Sequence, residues 1–166
     1  MFRSIRWRIA VSYTVLILTA MFGLSLFLSN VSRNNLLDEL RANLLVDARA
    51  IAENVRPVLQ NDTDGAQLQA LATRWADLFA TRVTIIAPDG EVLGESQGNL
   101  SSMSNHLRRP EIQEALVTGE GSSTRRSESV GLQMVYAAVP VYDEGEELLG
   151  FVRVALPAGT VERRIS

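Results

Sequence analysis

The chain has 166 residues with no cysteine, no lysine and a formal net charge of −3. The missing cysteine excludes disulfides and cysteine-based metal sites, and the missing lysine excludes a lysine base, a Schiff base and a Walker-type phosphate loop. All 19 acidic residues lie after the first apolar segment, so the remainder is acidic and nucleic acid is not an expected partner.

An uncharged, mainly apolar stretch occupies residues 9–32. As an α-helix it would rise roughly 36 Å, which is enough to cross the hydrocarbon core of a bilayer. Arg3, Arg6 and Arg8 precede it without any acid, and this bias favours a cytoplasmic N-terminus. We therefore predict a cytoplasmic tail, a transmembrane helix in contact with membrane lipid, and an extracytoplasmic remainder.

Two alternatives to a transmembrane helix remain open. A cleaved signal peptide also has a basic start, but its apolar core is shorter, about 7–15 residues, and ends in a small-residue cleavage site. Ser25 and Ser29 are small, yet they lie among large apolar residues. A buried core helix is the second alternative, although this length is unusual for one in so short a chain.

A heptad of apolar residues follows the span: Leu37, Leu44, Ile51 and Val58. This period predicts an amphipathic helix that continues the transmembrane helix, with Pro57 as an interruption late in it. In one interpretation, the apolar face of this helix packs only against the protein's own domain. The other adds dimerisation of the same helix near the membrane, although the heptad is too short for a sustained coiled coil.

Local patterns predict the elements that come next. Residues 61–65 indicate a turn, and apolar side chains at spacings of three, four and three predict a second helix ending near residue 80. The β-branched run at residues 82–87 predicts a strand. Pro88-Asp89-Gly90 is a strong turn signal, so residues 91–95 are expected to return as the second strand of a hairpin.

The last third of the chain predicts one helix and three strands. Pro110 suits the first position of a short helix over residues 110–117. Strands are expected at 122–128, 132–142 and 148–156, and Thr160 is a candidate cap of a further helix. Together these elements predict an α+β domain over residues 33–157, with the long helix packed on a five-stranded antiparallel sheet.

Three segments carry a resemblance to a known family: RVTIIAPDGEVLGES, MSNHLRRPEIQEALVTGEGSSTRRSES and MVYAAVPV. Over residues 81–157 the chain resembles the extracytoplasmic sensor region of phosphate-regulon-type membrane histidine kinases. The shared features, in order, are an Asp-Gly hairpin, Asn-His before Arg-Pro-Glu-Ile, Gly-x-Gly, an arginine-rich strand and Met-x-Tyr-x-Ala-x-Pro. Glu95 stands where the family has an Asp-Ser pair, so no ligand role is transferred to it.

The resemblance implies a PAS-like or Cache-like domain between two membrane helices. It implies the signal-input part of a two-component sensor, acting as a homodimer on a small extracytoplasmic ligand or a neighbouring membrane complex. Residues 158–166 would lead into a second span. The kinase core, through which a response regulator would be reached, would follow beyond them. The chain itself carries no catalytic motif, and neither a cofactor nor a metal is expected.

Four residues are the predicted ligand-binding candidates: His106, Arg109, Arg126 and Tyr136. Arginine binds carboxylate or phosphate with two donors, but Arg125 and Arg126 must point to opposite faces of a strand. His106 is not a phosphoacceptor, because its spacing to Pro110 is wrong and it has no adjacent acid. Its alternatives are a pocket residue or, with Asn105, a partner for loop backbone groups.

Surface pairing of the arginines with Glu91, Glu95 or Glu128 and core packing of Tyr136 also remain open. Leu37, Leu44 and Ile51 are the predicted signal-transmitting positions. Two functional alternatives to a kinase sensor are a free-standing anchored binding module and the ectodomain of a chemotaxis-type receptor or cyclase, because fold does not fix output.

Overall fold

The computed structural model describes residues 5–61, 65–98, 100, 103–127 and 130–159. Within these residues it contains three α-helices and five β-strands. They are α1 (Ile5–Gln60), α2 (Gly65–Phe79), β1 (Arg82–Ile86), β2 (Val92–Glu95), α3 (Pro110–Thr118), β3 (Gly121–Arg126), β4 (Gln133–Tyr142) and β5 (Leu148–Pro157). The chain divides into two compact units, Met1–Asp38 and Glu39–Ser166, and α1 contributes residues to both.

The part of α1 in the first unit is strongly apolar. Ile9–Ser29 forms a 21-residue apolar stretch, and none of it is buried. The hydroxyls of Thr14 and Thr19 donate to carbonyl oxygens four residues earlier, so both are satisfied within the helix. This stretch is long and apolar enough to cross a membrane, as the sequence predicts for residues 9–32.

The part of α1 in the second unit packs on the domain core. Leu44, Ala48, Ile51 and Val55 are at most 1% exposed and form one stripe at helical spacing. The prediction that this apolar face is directed at the protein's own domain is therefore confirmed. Dimerisation through the same helix stays a prediction.

The end of α1 differs from the expected interruption at Pro57. This proline lies inside the helix, which continues to Gln60. A proline removes one backbone donor, and so close to the helix end little regular structure remains to be broken. Asn61 supports the last turn by donating its side-chain amide to the Pro57 carbonyl at 2.6 Å. Of the predicted turn that follows, residues 62–64 lie outside the described residues.

The five strands form one antiparallel sheet in the order β2-β1-β5-β4-β3. The predicted hairpin is confirmed, because the Ala87 N–H donates to the Glu91 carbonyl at 2.8 Å and Asp89 Oδ1 accepts from the Glu91 N–H at 3.0 Å. Gly90 adopts φ 90°, as this turn requires. The expected α+β class with a five-stranded antiparallel sheet is confirmed.

Several element ends differ slightly from the expectations. β3 runs from Gly121 to Arg126 rather than over residues 122–128, because the Ser127 N–H turns back to the Leu132 carbonyl at 2.8 Å. Glu128 lies outside the described residues. So do residues 160–166, where a further helix is expected to begin, and residues 1–4 of the N-terminal tail.

Helices α1 and α3 lie on opposite faces of the sheet. Thr124 on β3 accepts a hydrogen bond from Arg41 of α1 at 3.2 Å. Its neighbours Ser123 and Arg125 instead bond Glu111 of α3. Successive strand residues point to opposite faces, so β3 contacts one helix with each side.

Helix α3 lies close to the sheet because a glycine faces it. A Cβ atom at Gly121 would clash with the backbone carbonyl of Glu111. The helix ends at Gly119, which adopts φ 84°. Apolar side chains seal the contact between α3 and the sheet: Ile86, Ile112, Ala115, Ala138 and Phe151.

Candidate functional site

Charged and polar side chains cluster on the face of the sheet toward α3, and most of them are buried. We call this set the buried ion network; it consists of Arg82, Thr84, Glu95, Glu111, Ser123, Arg125 and Arg153. Cross-strand register aligns part of it, because Thr84 pairs with both Glu95 and Arg153 across neighbouring strands. Charged residues are rarely buried unless they are paired, so each member has to be accounted for by its partners.

The first half of the network is centred on Glu95 of β2. Its carboxylate accepts from Arg82 Nε, Thr84 Oγ1 and the Gln97 N–H, each at 2.9 Å. The Arg82 and Glu95 side chains are 4% and 0% exposed. Gln69 of α2 also bonds the backbone of Glu95 through both its amide oxygen and nitrogen. Glu95 therefore fixes the hairpin and α2, and it does not pair with Arg125 or Arg126 as the surface-pairing alternative expects.

The second half is centred on Glu111 in the first turn of α3. Its carboxylate is 0% exposed and accepts from Ser123 Oγ at 2.7 Å, Arg125 Nη2 at 3.0 Å and Arg153 Nη1 at 3.5 Å. Arg153 also donates Nη2 to Thr84 Oγ1 at 3.0 Å. This arginine on β5 therefore connects the two halves of the network.

Tyr136 on β4 packs against both arginines of the second half. The guanidinium carbon of Arg125 lies 4.2 Å from the ring centroid, and that of Arg153 lies 5.2 Å from it. Both distances are within cation–π range. Tyr136 is 2% exposed, so it belongs to the core and also borders the charged cluster.

The network has an excess of positive charge. Its three guanidinium groups face two carboxylates, so the set as defined carries one net positive charge. In addition, Nε of Arg125 and Nε of Arg153 are buried and have no hydrogen-bond partner in the part of the chain that the structure describes. A carboxylate or another small anion would supply both the balancing charge and the missing acceptors.

The ionisation states agree with this geometry. Burial would raise the pKa of Glu111, but hydrogen bonds from Arg125 and Ser123 and the charge of Arg153 outweigh it and lower the pKa below its usual value. Burial lowers the pKa of Arg153 to about 10, against the opposing effect of Glu111. Both groups are therefore charged at neutral pH.

His106 lies next to the network in the loop before α3 and is 6% exposed. Its ring Nδ1 is 2.6 Å from the Ser104 carbonyl, and its N–H donates to the Gly90 carbonyl at 2.8 Å. Asn105 donates its side-chain amide to the Asp89 carbonyl at 2.7 Å. These bonds agree with the alternative that His106 and Asn105 satisfy backbone groups of the loop. Burial, followed by the charge of Arg153, lowers the pKa of His106 to about 4, so the ring is neutral at pH 7.

The predicted ligand-binding residues are only partly brought together. Tyr136 borders the network and His106 lies within electrostatic range of Arg153. Arg109 is half-buried at the start of α3 and approaches Ser104 Oγ at 3.4 Å. Arg126 is exposed, because strand alternation turns Arg125 toward Glu111 instead. The structure therefore brings Arg125 to the site in place of Arg126.

Sequence reasoning does not select Arg82, Arg153 or Glu111 for the site. A usable signal is present for Arg153, which is the one charged residue of the otherwise apolar strand LLGFVRVALP. A single charge within a buried strand needs an internal partner. Glu111 gives no such signal, because an acid in the first turn of a helix is ordinary.

A separate groove of about 740 Å³ lies along β2 and the loop before α3. Its lining includes Asp89 and Glu91 but no arginine, so its charge does not suit an anion. Among the described residues, no group of three or more His, Asp or Glu side chains is placed to hold a metal ion. For an anionic ligand, the buried ion network is thus the better candidate.

Of the predicted signal-transmitting residues, Leu44 and Ile51 are buried in the domain core, and Leu37 is partly exposed. They lie on α1, whose second-unit part packs on the face opposite to the network. Transmission through them stays a prediction.

A family comparison matches residues 59–157 to the model described as "Single Cache-like". No curated protein matches the chain in sequence. Similar folds occur among solved structures. The sensor domain of E. coli DcuS has 20% identity and a TM-score of 0.62, covering 78% of this chain and 97% of that one.

Two further similar structures are from larger domains. The sensor domain of the V. cholerae histidine kinase DctB has 18% identity and a TM-score of 0.63, covering 92% of this chain and 60% of that one. The ligand-binding domain of the Campylobacter jejuni chemoreceptor Tlp3, in complex with 4-methylisoleucine, has 14% identity and a TM-score of 0.61. That match covers 76% of this chain and 54% of that one. At these identities the similarity to solved structures concerns the fold.

Proposed function

The chain belongs to the single Cache-like family, and we propose on this basis that it is the signal-input part of a membrane sensor histidine kinase. The sensor role follows from the family, and the kinase output is supported by the similarity to the sensor domain of DctB. The apolar stretch Ile9–Ser29 would anchor the domain in the membrane. The sensor domain would lie on the extracytoplasmic side and the tail, residues 1–8, in the cytoplasm.

The proposed ligand is a small carboxylate. The observation that carries this proposal is the unbalanced positive charge of the buried ion network, together with the unpartnered Nε atoms of Arg125 and Arg153 among the described residues. The amino acid in the Tlp3 structure also carries a carboxylate. Tyr136 would provide an aromatic wall, and His106 and Arg109 would lie near the ligand at the start of α3. A phosphate-like anion would use the same donors, so a binding test has to include both chemistries.

Two adjacent arginines on β3 provide a matched test. Arg125→Lys keeps the charge but loses the planar fork, so we expect carboxylate binding to weaken by about tenfold or more. Arg126→Lys makes the same change on the exposed side and is expected to leave affinity unchanged. Calorimetric titration of the full chain in detergent with succinate, L-alanine and inorganic phosphate measures both effects. Weakening by Arg126→Lys alone would instead favour the residue chosen from the sequence.

Signal transmission is proposed to run through α1. A ligand can shift the protein only between states that it binds with different affinity. Leu37, Leu44 and Ile51 would carry the shift toward the membrane, in a homodimer whose helices are paired. The test is a fusion of the chain to a kinase core of known output. Output that stays unaltered by alanine at these three positions would contradict this route.

The similarity to Tlp3 favours a second candidate, the ectodomain of a chemotaxis-type receptor. Cache-type domains feed different outputs, so the fold does not choose between them. The coding sequence that follows Ser166 decides the question. An apolar span and a kinase core would support the first proposal, a methyl-accepting coiled coil the second, and a stop codon a free-standing anchored module.

The narrower assignment to phosphate-regulon-type kinases is supported only by the ordered sequence motifs over residues 81–157. In that case the stimulus could reach the domain through a neighbouring membrane complex rather than through a ligand. Autophosphorylation of the full-length parent, measured in cells with and without phosphate, tests this assignment. A level that is insensitive to phosphate would reject it.

A further inference from the structure

Glu111 is itself a carboxylate bound in the cluster of arginines. It receives hydrogen bonds from Arg125 and Ser123 and an ion pair from Arg153, and its side chain is 0% exposed. A small carboxylate ligand would bind the same two guanidinium groups, including their Nε atoms, which have no hydrogen-bond partner among the described residues. The protein therefore already holds one carboxylate at the position where the proposed function requires another.

Glu111 lies in the first turn of α3 and is the one residue of this helix that belongs to the buried ion network. Helix α3 is nine residues long and is preceded by a loop that contains Ser104 and Asn105. On its inner side it has one buried carboxylate and two fully buried apolar side chains, Ile112 and Ala115. Its other end, at Gly119, is a left-handed glycine, and a Cβ atom placed there would meet nothing within 4 Å. The carboxylate of Glu114 holds the next turn through the Ser122 N–H, so a loss of the Glu111 contacts would act mainly on the first turn of α3.

We propose that Glu111 acts as a tethered carboxylate that occupies the anion-binding part of the site, and that a carboxylate ligand binds by exchanging with it. This inference rests on the proposed function, since it requires that the arginines bind a ligand. The exchange breaks the contacts of Glu111 with Arg125, Ser123 and Arg153, and the ligand then binds the guanidinium groups of the two arginines, including their Nε atoms. The first turn of α3 then leaves the sheet, while the ligand remains.

The exchange has a measurable consequence for affinity. A tethered group competes at a high effective concentration, so it reduces the apparent affinity of a free ligand with the same chemistry. Removal of the charge of Glu111 should therefore increase carboxylate affinity. A residue that only supports the fold would have the opposite effect, because its loss would disturb the arginines.

The experiment compares Glu111→Gln with Glu114→Gln in the full chain in detergent. Glu114 is on the same helix, and its carboxylate accepts from the Ser122 N–H at 2.8 Å, outside the network. We expect Glu111→Gln to bind succinate and L-alanine at least tenfold more tightly than the wild type, and Glu114→Gln to bind like the wild type. Amide exchange should report weaker protection of α3 in Glu111→Gln, and in the wild type when succinate is added.

A second variant keeps the test informative if Glu111→Gln does not fold. Ser123→Ala removes one hydrogen bond to Glu111 and leaves all charges in place. It should increase carboxylate affinity about threefold. Affinity that is unchanged or weaker in both variants overturns the inference.

The outcomes separate this inference from the proposed function. If the wild type binds carboxylates through Arg125 but neither Glu111→Gln nor Ser123→Ala binds more tightly, the exchange is wrong and the ligand site stands. If no variant binds succinate, L-alanine or phosphate, both the exchange and the carboxylate site are wrong. If Glu114→Gln binds more tightly to the same degree, the overall negative charge of α3 controls affinity, and a tethered ligand does not.

Discussion

His106 is buried because it satisfies loop backbone groups, and its pKa nevertheless responds to the charges of the nearby network. Its ring is held against the Ser104 carbonyl, and the nearby guanidinium of Arg153 disfavours a second positive charge. The imidazole is therefore kept neutral by burial and by the network together. This makes the residue a stability determinant at acidic pH rather than a carrier of charge at neutral pH.

Folding stability should decrease as the pH falls from about 6.5 to 4. The folded-state pKa of His106 is lowered to about 4 from 6.5, so in this window the unfolded chain binds a proton that the folded domain excludes. The midpoint of thermal unfolding of the chain in detergent, measured at pH 7, 6 and 5, checks this. His106→Asn keeps a donor for the Ser104 carbonyl and should flatten the decrease. An equal decrease in both proteins would assign the pH dependence to other groups.

At the scale of elements, the contact between α3 and the sheet depends on Gly121. Its missing side chain admits the backbone of Glu111 and thereby brings the carboxylate to the arginines. Glycine is needed at this position because a Cβ atom would not fit, and not for its conformation, since its backbone is that of an ordinary strand residue. Gly119, two residues earlier, is needed for its positive φ instead.

These two glycines give a matched pair of substitutions. Gly121→Ala forces its Cβ against the Glu111 carbonyl and should cost about 3 kcal/mol, the upper range for overpacking a close contact. Gly119→Ala meets no atom within 4 Å and should cost about 1 kcal/mol because alanine disfavours the left-handed conformation at this position. Urea unfolding of both variants measures the difference. Equal costs would mean that α3 adjusts its position freely.

Much of the element structure could be predicted from the sequence, because its signals are local. Pro88-Asp89-Gly90 between β-branched runs predicts the β1–β2 hairpin, and the apolar spacing at Leu44 and Ile51 predicts the buried face of α1. The pairing of β1 with β5 joins residues far apart in the chain, such as Thr84 and Arg153, and no local pattern encodes it. The buried ion network depends on that pairing, which explains why sequence reasoning selects Tyr136 but neither Arg153 nor Glu111.

At the scale of the whole molecule, the proposed topology can be tested by labelling from outside the cell. The chain has no cysteine, so single cysteines can be introduced without a background. Glu144 is exposed in the turn between β4 and β5. In intact cells, Glu144→Cys should react with a membrane-impermeant maleimide, and Ser4→Cys should react only after the membrane is opened. The reverse pattern would invert the topology, and loss of Ser4 from the mature protein would indicate a cleaved signal peptide.

The alternation along β3 has a consequence for how such a protein would couple two events. Ser123 and Arg125 bind on the face toward α3, and Thr124 between them binds Arg41 on the face toward α1. A twist of β3, which is an edge strand, would therefore move its contacts to α3 and its contact to α1 at once and in opposite directions. The proposed anion site and α1 are then separated by a single sheet, and no chain of intermediate side chains is required to connect them.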